Sequence, residues 1–230
     1  MRRPSRPHPA TTCQLPRRRE LSCLIALLLA TGGAGQAQAR EIPFSGYQEI
    51  TDQLSQAKSI RMADMDGDGD PDAVVTSQNA DMIAWFANDG SAGGWTLHTI
   101  ASTADGPRDA FPADVDGDGD LDVVSASRYD NSIAWHENTA GDGSAWSPHD
   151  ISTSVDRARS VFVADFDGDG DLDVLSQSTF LSTVQWHENL GAGSTWSQHQ
   201  IESGMNYAYN VQAADFDGDG DIDAQVAVRD

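Results

Sequence analysis

The sequence predicts an all-β fold made of four-stranded antiparallel units that repeat about every fifty residues. Three observations predict it. Four nearly identical aspartate-rich blocks recur at a constant spacing, and the segments between them alternate apolar and polar residues with many β-branched and aromatic side chains. No segment shows a convincing helical period of apolar residues. The repeats therefore define the fold class before any single strand is assigned.

The aspartate-rich blocks set the period. They read MADMDGDGDPDAVV from Met62, PADVDGDGDLDVVS from Pro112, VADFDGDGDLDVLS from Val163 and AADFDGDGDIDAQV from Ala213. Their first aspartates lie 50, 51 and 50 residues apart. A second block recurs between them, reading IAWFAN then GGWTLHTI, IAWHEN then SAWSPHDI, and VQWHEN then STWSQHQI. We therefore divide the chain into repeats near residues 58–101, 109–152, 159–202 and 209–230.

Each period contains four predicted strands, labelled A to D. In the third period they are Ser160–Ala164, Asp173–Gln177, Val184–Glu188 and Trp196–Ile201, separated by turn-rich segments. Four strands in about fifty residues match one blade of a β-propeller. The chain is thus expected to form propeller blades from residue 40 to residue 230.

The two ends of the repeat array predict a partial ring. Tyr47–Ile50 aligns with the end of a D strand, and the chain stops at Asp230 just after a B strand. We therefore expect three full blades with partial blades on either side. The chain would then be truncated, and further blades or another chain would be needed to close the ring. A four-bladed ring that lacks one strand is the alternative.

The first 39 residues have the features of an export signal. A basic stretch at Arg17–Arg19 precedes the apolar run Leu21–Ala34, which is too short to span a membrane, and a small-residue cleavage pattern places the mature start at Arg40. We expect a secreted, periplasmic or cell-surface protein with no membrane span after signal removal. General and twin-arginine export are both open, and an N-terminal anchor is the alternative. Cys13 and Cys23 leave with the signal, so no disulfide stabilises the mature chain.

The charge of the chain limits its partners. The net charge is −22, which argues against nucleic acid and anionic membrane surfaces. Without the signal, 8 basic and 35 acidic residues remain. A surplus this large is either spread over the surface or neutralised by bound cations, and the aspartate blocks favour bound cations.

Each aspartate block contains a loop of the pattern D-x-D-G-D-G-D-x-D. Calcium takes six to eight oxygen ligands. A tight loop can direct the carboxylates of positions 1, 3 and 5 and the backbone carbonyl of position 7 at one point, with glycine at position 6 allowing the turn. An EF-hand would need glutamate at position 12, where this chain has Val75 in the first loop and Ser125 in the second. Position 9, at the start of strand B, carries the closing aspartate instead.

The predicted metal ligands are the aspartates of positions 1, 3, 5, 7 and 9 in the four loops. They are Asp64, Asp66, Asp68, Asp70 and Asp72; Asp114, Asp116, Asp118, Asp120 and Asp122; Asp165, Asp167, Asp169, Asp171 and Asp173; and Asp215, Asp217, Asp219, Asp221 and Asp223. Solvated acidic turns are the alternative, but two like charges about 4 Å apart repel by about 4 kcal/mol at an effective dielectric near 20. We predict about four Ca²⁺ ions, one per loop, with a structural role.

These motifs resemble a known family. The DxDGDGDxD loops, followed by VxWxEN and WxxHxI segments, are similar to the FG-GAP/VCBS-type repeats of secreted bacterial proteins, which are related to the integrin α-subunit propeller. The resemblance covers about residues 44–230. It implies a calcium-binding β-propeller with calcium between strands A and B, held by the aspartates of positions 1, 3, 5 and 9. Propellers of this family generally hold about seven blades, of which this chain supplies about half.

Tryptophan and histidine recur in strands C and D. The residues are Trp85, Trp135 and Trp186 in strand C, Trp95, Trp146 and Trp196 at the start of strand D, and His98, His149 and His199 within it. The tryptophans could bind sugar rings, but equivalent positions in every blade favour packing between blades. Repetition also argues against catalysis, because an active site is normally built once.

Several residues outside the repeat pattern lie in or beside loops. They are Arg108, Arg128, Tyr129, Arg157, Arg159, Tyr207 and Tyr209. Loops on a rigid scaffold often carry binding function, but we see no nucleophile–base pair or phosphate-cradling loop among these residues and expect them to be ordinary loop residues.

Two functions follow as hypotheses. The first is a secreted calcium-binding module for adhesion, scaffolding or glycan or protein binding, with no catalytic residue. The alternative is the propeller part of a secreted carbohydrate-active enzyme of the polysaccharide lyase or sugar dehydratase type. That alternative predicts unrepeated His, Tyr, Lys or Arg gathered on one face. Fold alone does not decide between them.

Overall fold

The computed structural model describes residues 50–51, 54–91, 94–205 and 208–228. The predicted export signal, the mature start at Arg40, both cysteines and nearly all of the predicted first D strand lie outside the described residues, as does Tyr207. No helix in the described part of the chain is long and apolar enough to cross a membrane.

Fourteen β-strands and one short 3-10 helix, Gln78–Ala80, form the secondary structure of these ranges. The strands are β1 (Ala57–Ala63), β2 (Asp72–Ser77), β3 (Met82–Asn88), β4 (Trp95–Ala101), β5 (Pro107–Ala113), β6 (Asp122–Ser127), β7 (Ser132–Asn138), β8 (Trp146–Ser152), β9 (Ala158–Ala164), β10 (Asp173–Ser178), β11 (Thr183–Asn189), β12 (Trp196–Glu202), β13 (Ala208–Ala214) and β14 (Asp223–Val228). This content confirms the predicted all-β class.

The strands form three four-stranded antiparallel sheets and one two-stranded sheet. The complete sheets are β1–β4, β5–β8 and β9–β12, each paired in chain order, and β13 pairs with β14. This order is that of propeller blades and confirms the predicted repeat unit. In the third blade, strand A begins at Ala158 rather than Ser160, because a register shift near Gln177 lets pairing with strand B continue past the predicted start.

The first strands of successive blades, β1, β5, β9 and β13, lie next to one another. Most of the hydrophobic core lies between neighbouring blades. Trp85 of the first blade belongs to one cluster with Val123 of the second, and Trp135 of the second belongs to another with Val174 of the third. Within the described residues, the first and fourth sheets do not pack against each other, so the sheets are not closed into a ring.

The tryptophans of strand C pack at these interfaces, as predicted. Trp85 is 1% exposed, its Nε1 donates to the carbonyl oxygen of Gly143 in the next blade at 3.2 Å, and a β-carbon at Gly143 would lie 2.5 Å from its ring. Trp85 also stacks on His98, the residue opposite it in strand D, with ring centroids 4.5 Å apart. Trp186 faces the fourth repeat and is only partly buried.

Candidate metal sites

Each aspartate loop joins the end of an A strand to the start of a B strand. In every loop, one carboxylate oxygen from each of positions 1, 3 and 9 lies within 4.8 Å of the other two. The four groups are Asp64, Asp66 and Asp72; Asp114, Asp116 and Asp122; Asp165, Asp167 and Asp173; and Asp215, Asp217 and Asp223. The structure thus places three of the five predicted aspartates of each loop around one point.

The loop backbone is held by its own aspartates and glycines. In the second loop, Asp114 accepts hydrogen bonds from the N–H groups of Gly117 and Gly119, at 2.8 and 3.0 Å. These glycines have φ of +76° and +100°, which side chains with a β-carbon rarely adopt, although no atom within 4 Å would obstruct a β-carbon there. The conformation of the backbone, rather than a lack of space, therefore requires glycine at positions 4 and 6.

Position 9 anchors the loop to the sheet. Asp122 is 1% exposed, and its two oxygens accept the N–H groups of Val115 in the loop, at 3.1 Å, and of Asn138 at the end of strand C, at 2.8 Å. Asp72 and Asp173 repeat both contacts. Burial raises the pKa of Asp122 to about 6, although the two N–H groups oppose that shift. A nearby cation would favour the charged carboxylate.

The side chains of positions 5 and 7 lie outside these groups. In the second loop, Asp118 Oδ1 accepts the N–H of Asp120 at 2.9 Å. The Asp120 carboxylate lies against Gly141 in the C–D loop, where a β-carbon would be 2.4 Å from its Oδ2. The sequence predicts that position 7 binds the metal through its backbone carbonyl oxygen. The contact between the Asp120 side chain and Gly141 does not involve that oxygen.

The asparagine that ends strand C supports the site and was not among the predicted residues. Asn138 is 1% exposed; its N–H donates to Asp122, its Nδ2 donates to the Leu121 carbonyl at 3.3 Å, and its Oδ1 accepts the Gly143 N–H at 3.0 Å. Asn189 makes the same three contacts in the third blade. The recurring asparagine of the IAWHEN-type blocks was the available sequence signal.

The donor atoms that converge in each loop are carboxylate oxygens, without histidine or cysteine. Such donors suit hard divalent cations. In the first loop, Oδ1 of Asp64 is buried and has no hydrogen-bond partner among the described residues. A buried carboxylate oxygen of this kind is unfavourable unless a donor or cation satisfies it. Each of the four loops could therefore hold a metal ion.

Comparison with protein families agrees with this architecture. The model of the FG-GAP-like repeat matches residues 64–125 and, in a second overlapping match, residues 114–176. The two matches include the first three aspartate loops and the strands between them. No curated protein matches the chain. Two repeat matches, together with the successive four-stranded antiparallel sheets, show that this chain belongs to the FG-GAP-like repeat family.

Proposed function

We propose that this chain is a secreted, calcium-stabilised repeat module that binds a protein or glycan ligand in adhesion or scaffolding and catalyses no reaction. About four Ca²⁺ ions, one per aspartate loop, would have a structural role. The observation that carries the proposal is the convergence of three carboxylates within 4.8 Å in every loop. FG-GAP-like repeats are typical of extracellular proteins, which supports secretion.

The donor set favours calcium among the common cations. Zinc and copper prefer nitrogen and sulfur ligands, which these groups lack. Magnesium requires near-octahedral geometry, keeps several waters and usually binds one or two carboxylates. Three carboxylates in a glycine-containing loop match the larger and more flexible coordination shell of calcium.

The position of the loops supports a structural role for the metal. Asp122 already ties its loop to strands B and C, and a cation would tie positions 1 and 3 to the same point while neutralising their charge. With calcium about tenfold above Kd, each ion adds about 1.4 kcal/mol to the free energy of unfolding. Four ions would add about 6 kcal/mol, which is comparable to the stability of a whole domain.

Two buried serine–histidine contacts among the described residues have the composition of a catalytic pair, but their environment supports a structural role. Ser125 Oγ lies 3.0 Å from His136 Nε2, and Ser176 Oγ lies 2.8 Å from His187 Nε2. All four residues are at most 4% exposed, and burial lowers the pKa of both histidines to about 4. Nδ1 of His187 has no hydrogen-bond partner in the part of the chain that the structure describes, so no carboxylate there orients that ring as a general base.

The enzyme alternative has one observation in its favour. Arg128, Arg157, Arg159 and Tyr209, which fall outside the repeat pattern, line one cavity. Arginine stays protonated in proteins, so these guanidinium groups can bind an anion but cannot act as a base. We therefore favour ligand binding, and the formation of a product from a bound sugar would favour the enzyme.

The test of the calcium proposal is calorimetric titration of Ca²⁺ into the EDTA-treated full chain, with a thermal melt before and after. We expect uptake of about four ions and a large rise in Tm, because each ion binds the folded state. Magnesium at the same concentration should raise Tm less. Folded protein that takes up no calcium would contradict the proposal.

A matched pair of variants in the second loop locates the ion. Asp116→Asn removes a converging carboxylate and should weaken one site at least about tenfold, leaving about three strong ions. Asp120→Asn removes the same charge from a side chain outside the group and keeps the backbone carbonyl, so about four strong ions should remain. Equal losses in both variants would mean that the loop binds calcium by charge alone.

A further inference from the structure

Four arginines lie at the edge of the blades opposite the aspartate loops. Arg108 and Arg159 lie near the start of two A strands, Arg128 follows a B strand, and Arg157 precedes an A strand. Strands A and B are antiparallel, so the start of A and the end of B share one edge, while the aspartate loops join the other ends. Basic side chains are therefore concentrated at this edge, in turns that also contain Asp105, Asp130 and Asp156, on a chain whose net charge is −22.

These guanidinium groups have no carboxylate partner among the described residues. Arg61 differs, because its Nη2 lies 3.3 Å from a carboxylate oxygen of Asp109. Arg108 and Arg128 each have a buried Nε that finds no hydrogen-bond partner within the described ranges. Burial lowers the pKa of Arg108, and the guanidinium groups of Arg128 and Arg159 lower it further, which reflects mutual repulsion. An anion bound beside Arg128 and Arg159 would offset this repulsion.

Three of the arginines line an open cavity of about 580 Å³, which is in the size range of ligand sites. The residues that line it include Arg128, Arg157, Arg159, Phe180, Ser182 and Tyr209. The Arg157 guanidinium carbon lies 4.8 Å from the centre of the Phe180 ring, and that of Arg159 lies 4.2 Å from the centre of the Tyr209 ring. Phe180 is 60% exposed, so its apolar ring is accessible beside the positive charge.

We propose that this cavity, the arginine cavity, binds an acidic sugar in which a carboxylate is attached to a pyranose ring. The planar guanidinium groups match a carboxylate through paired N–H donors. The exposed aromatic ring offers a flat apolar surface to the ring carbons of the sugar. The hydroxyl group of Ser182 adds a donor and acceptor for sugar hydroxyls. This inference rests on the proposed binding role and names its ligand class.

The charge of the chain favours a short acidic ligand over a long polyanion. A nucleic acid is bound through many phosphate contacts spread over a wide basic surface. The described residues include only six lysines and arginines, and four of them are the arginines at this edge. The acidic remainder of the chain would repel a longer polyanion.

The test is calorimetric titration of trigalacturonate into the full chain at saturating, buffered calcium, with the fully methyl-esterified trimer as a neutral control of similar shape. We expect saturable binding of the acid, weakened by added salt, and no binding of the ester. A titration into the same calcium buffer without protein corrects for chelation by the ligand.

Arginine variants locate the site. Arg157→Gln and Arg159→Gln should each weaken binding at least about tenfold, because each removes a charge-assisted hydrogen bond. Lys58→Gln removes a positive charge from the same edge but outside the arginine cavity, so it should weaken binding less than about threefold. Arg157→Gln gives the cleaner result, because the Arg157 guanidinium makes no hydrogen bond within the described residues, whereas Arg159 Nε donates to the Tyr209 carbonyl at 3.1 Å.

The outcomes separate this inference from the proposed function. Absence of saturable binding by folded, calcium-loaded protein would overturn the acidic-sugar proposal, as would equal binding of the ester. Inorganic phosphate or sulfate that binds as tightly as the trimer would overturn it too, because the sugar ring would then contribute nothing. Failure of the proposed function would appear elsewhere, as lack of calcium uptake or as an unsaturated uronate product.

Discussion

The second and fourth repeats carry the same aspartate loop in different surroundings. In the second, strand β6 is buried along its length and Asp122 is 1% exposed. In the fourth, β14 pairs with β13 and with no other strand of the described residues, and Asp223 is partly exposed. The loops themselves are alike, since Asp114 and Asp215 each accept hydrogen bonds from two glycine N–H groups.

The difference shows that the loop folds locally while the rest of the blade anchors it. Asp122 accepts one N–H from the loop and one from Asn138 of strand C, whereas Asp223 accepts only the loop N–H of Phe216 among the described residues. Val115 and Phe216 occupy equivalent loop positions and are 2% and 56% exposed. Strand C therefore provides the second hydrogen bond to the closing aspartate, and strand C and the neighbouring blade bury the loop.

The largest expected effect concerns the tryptophans. Trp85→Ala should lower the free energy of unfolding by about 4 kcal/mol, because Trp85 is fully buried against the next blade. Trp186→Ala should cost about 2 kcal/mol, because Trp186 is only partly buried beside the fourth repeat. Urea denaturation of both variants at saturating calcium measures the difference. Equal losses of unfolding free energy in the two variants would mean that the next blade does not contribute to the packing of the indole ring.

The closing aspartates should give the next largest effect. Asp122→Ala leaves two backbone N–H groups without their partner and should cost about 3 kcal/mol, whereas Asp223→Ala should cost about 1 kcal/mol because water reaches that site. Both variants lose one carboxylate of a converging group, so the difference isolates the anchor to strand C. The comparison fails if Asp223→Ala is as destabilising as Asp122→Ala in the same urea titration.

The smallest expected effect is on the loss of stability at low pH, and it distinguishes the second blade from the first. Burial lowers the pKa of His136 to about 4, and the first blade has Phe86 at that position. An unfolded histidine has a pKa near 6.5, so the unfolded state takes up the proton first, and stability falls as the pH drops from about 6.5 towards 4. The double variant Ser125→Val, His136→Phe copies Val75 and Phe86 and should lose about 2 kcal/mol less than the parent between about pH 8 and pH 5.

Urea titrations at both pH values, with calcium kept saturating, measure this difference. The single variant Ser125→Val serves as the control, because it removes the hydroxyl at 3.0 Å from the imidazole but keeps the titrating ring. It should retain the acid sensitivity of the parent. Equal acid sensitivity in the parent and the double variant would show that His136 does not titrate on unfolding in this range.

Much of the fold could be predicted from the sequence because the sequence consists of repeats. The four blocks and the alternation between them predicted strands, order and blade size, and strand A of the third blade differs from its predicted start by two residues. The recurring asparagine of strand C was not predicted as part of the site. Its role depends on a hydrogen bond to an aspartate 16 residues away, as between Asn138 and Asp122. Sequence alone does not give the register that creates this contact.

The sequence by itself determined the aspartate loops, because each is closed by hydrogen bonds among neighbouring residues and by glycines that allow positive φ. The repeat period likewise determined the blade. Only the tertiary structure decided which loop carboxylates converge, which of them are buried, and that arginines from different blades line one cavity. These features depend on the packing of segments far apart in the chain, which local propensity does not specify.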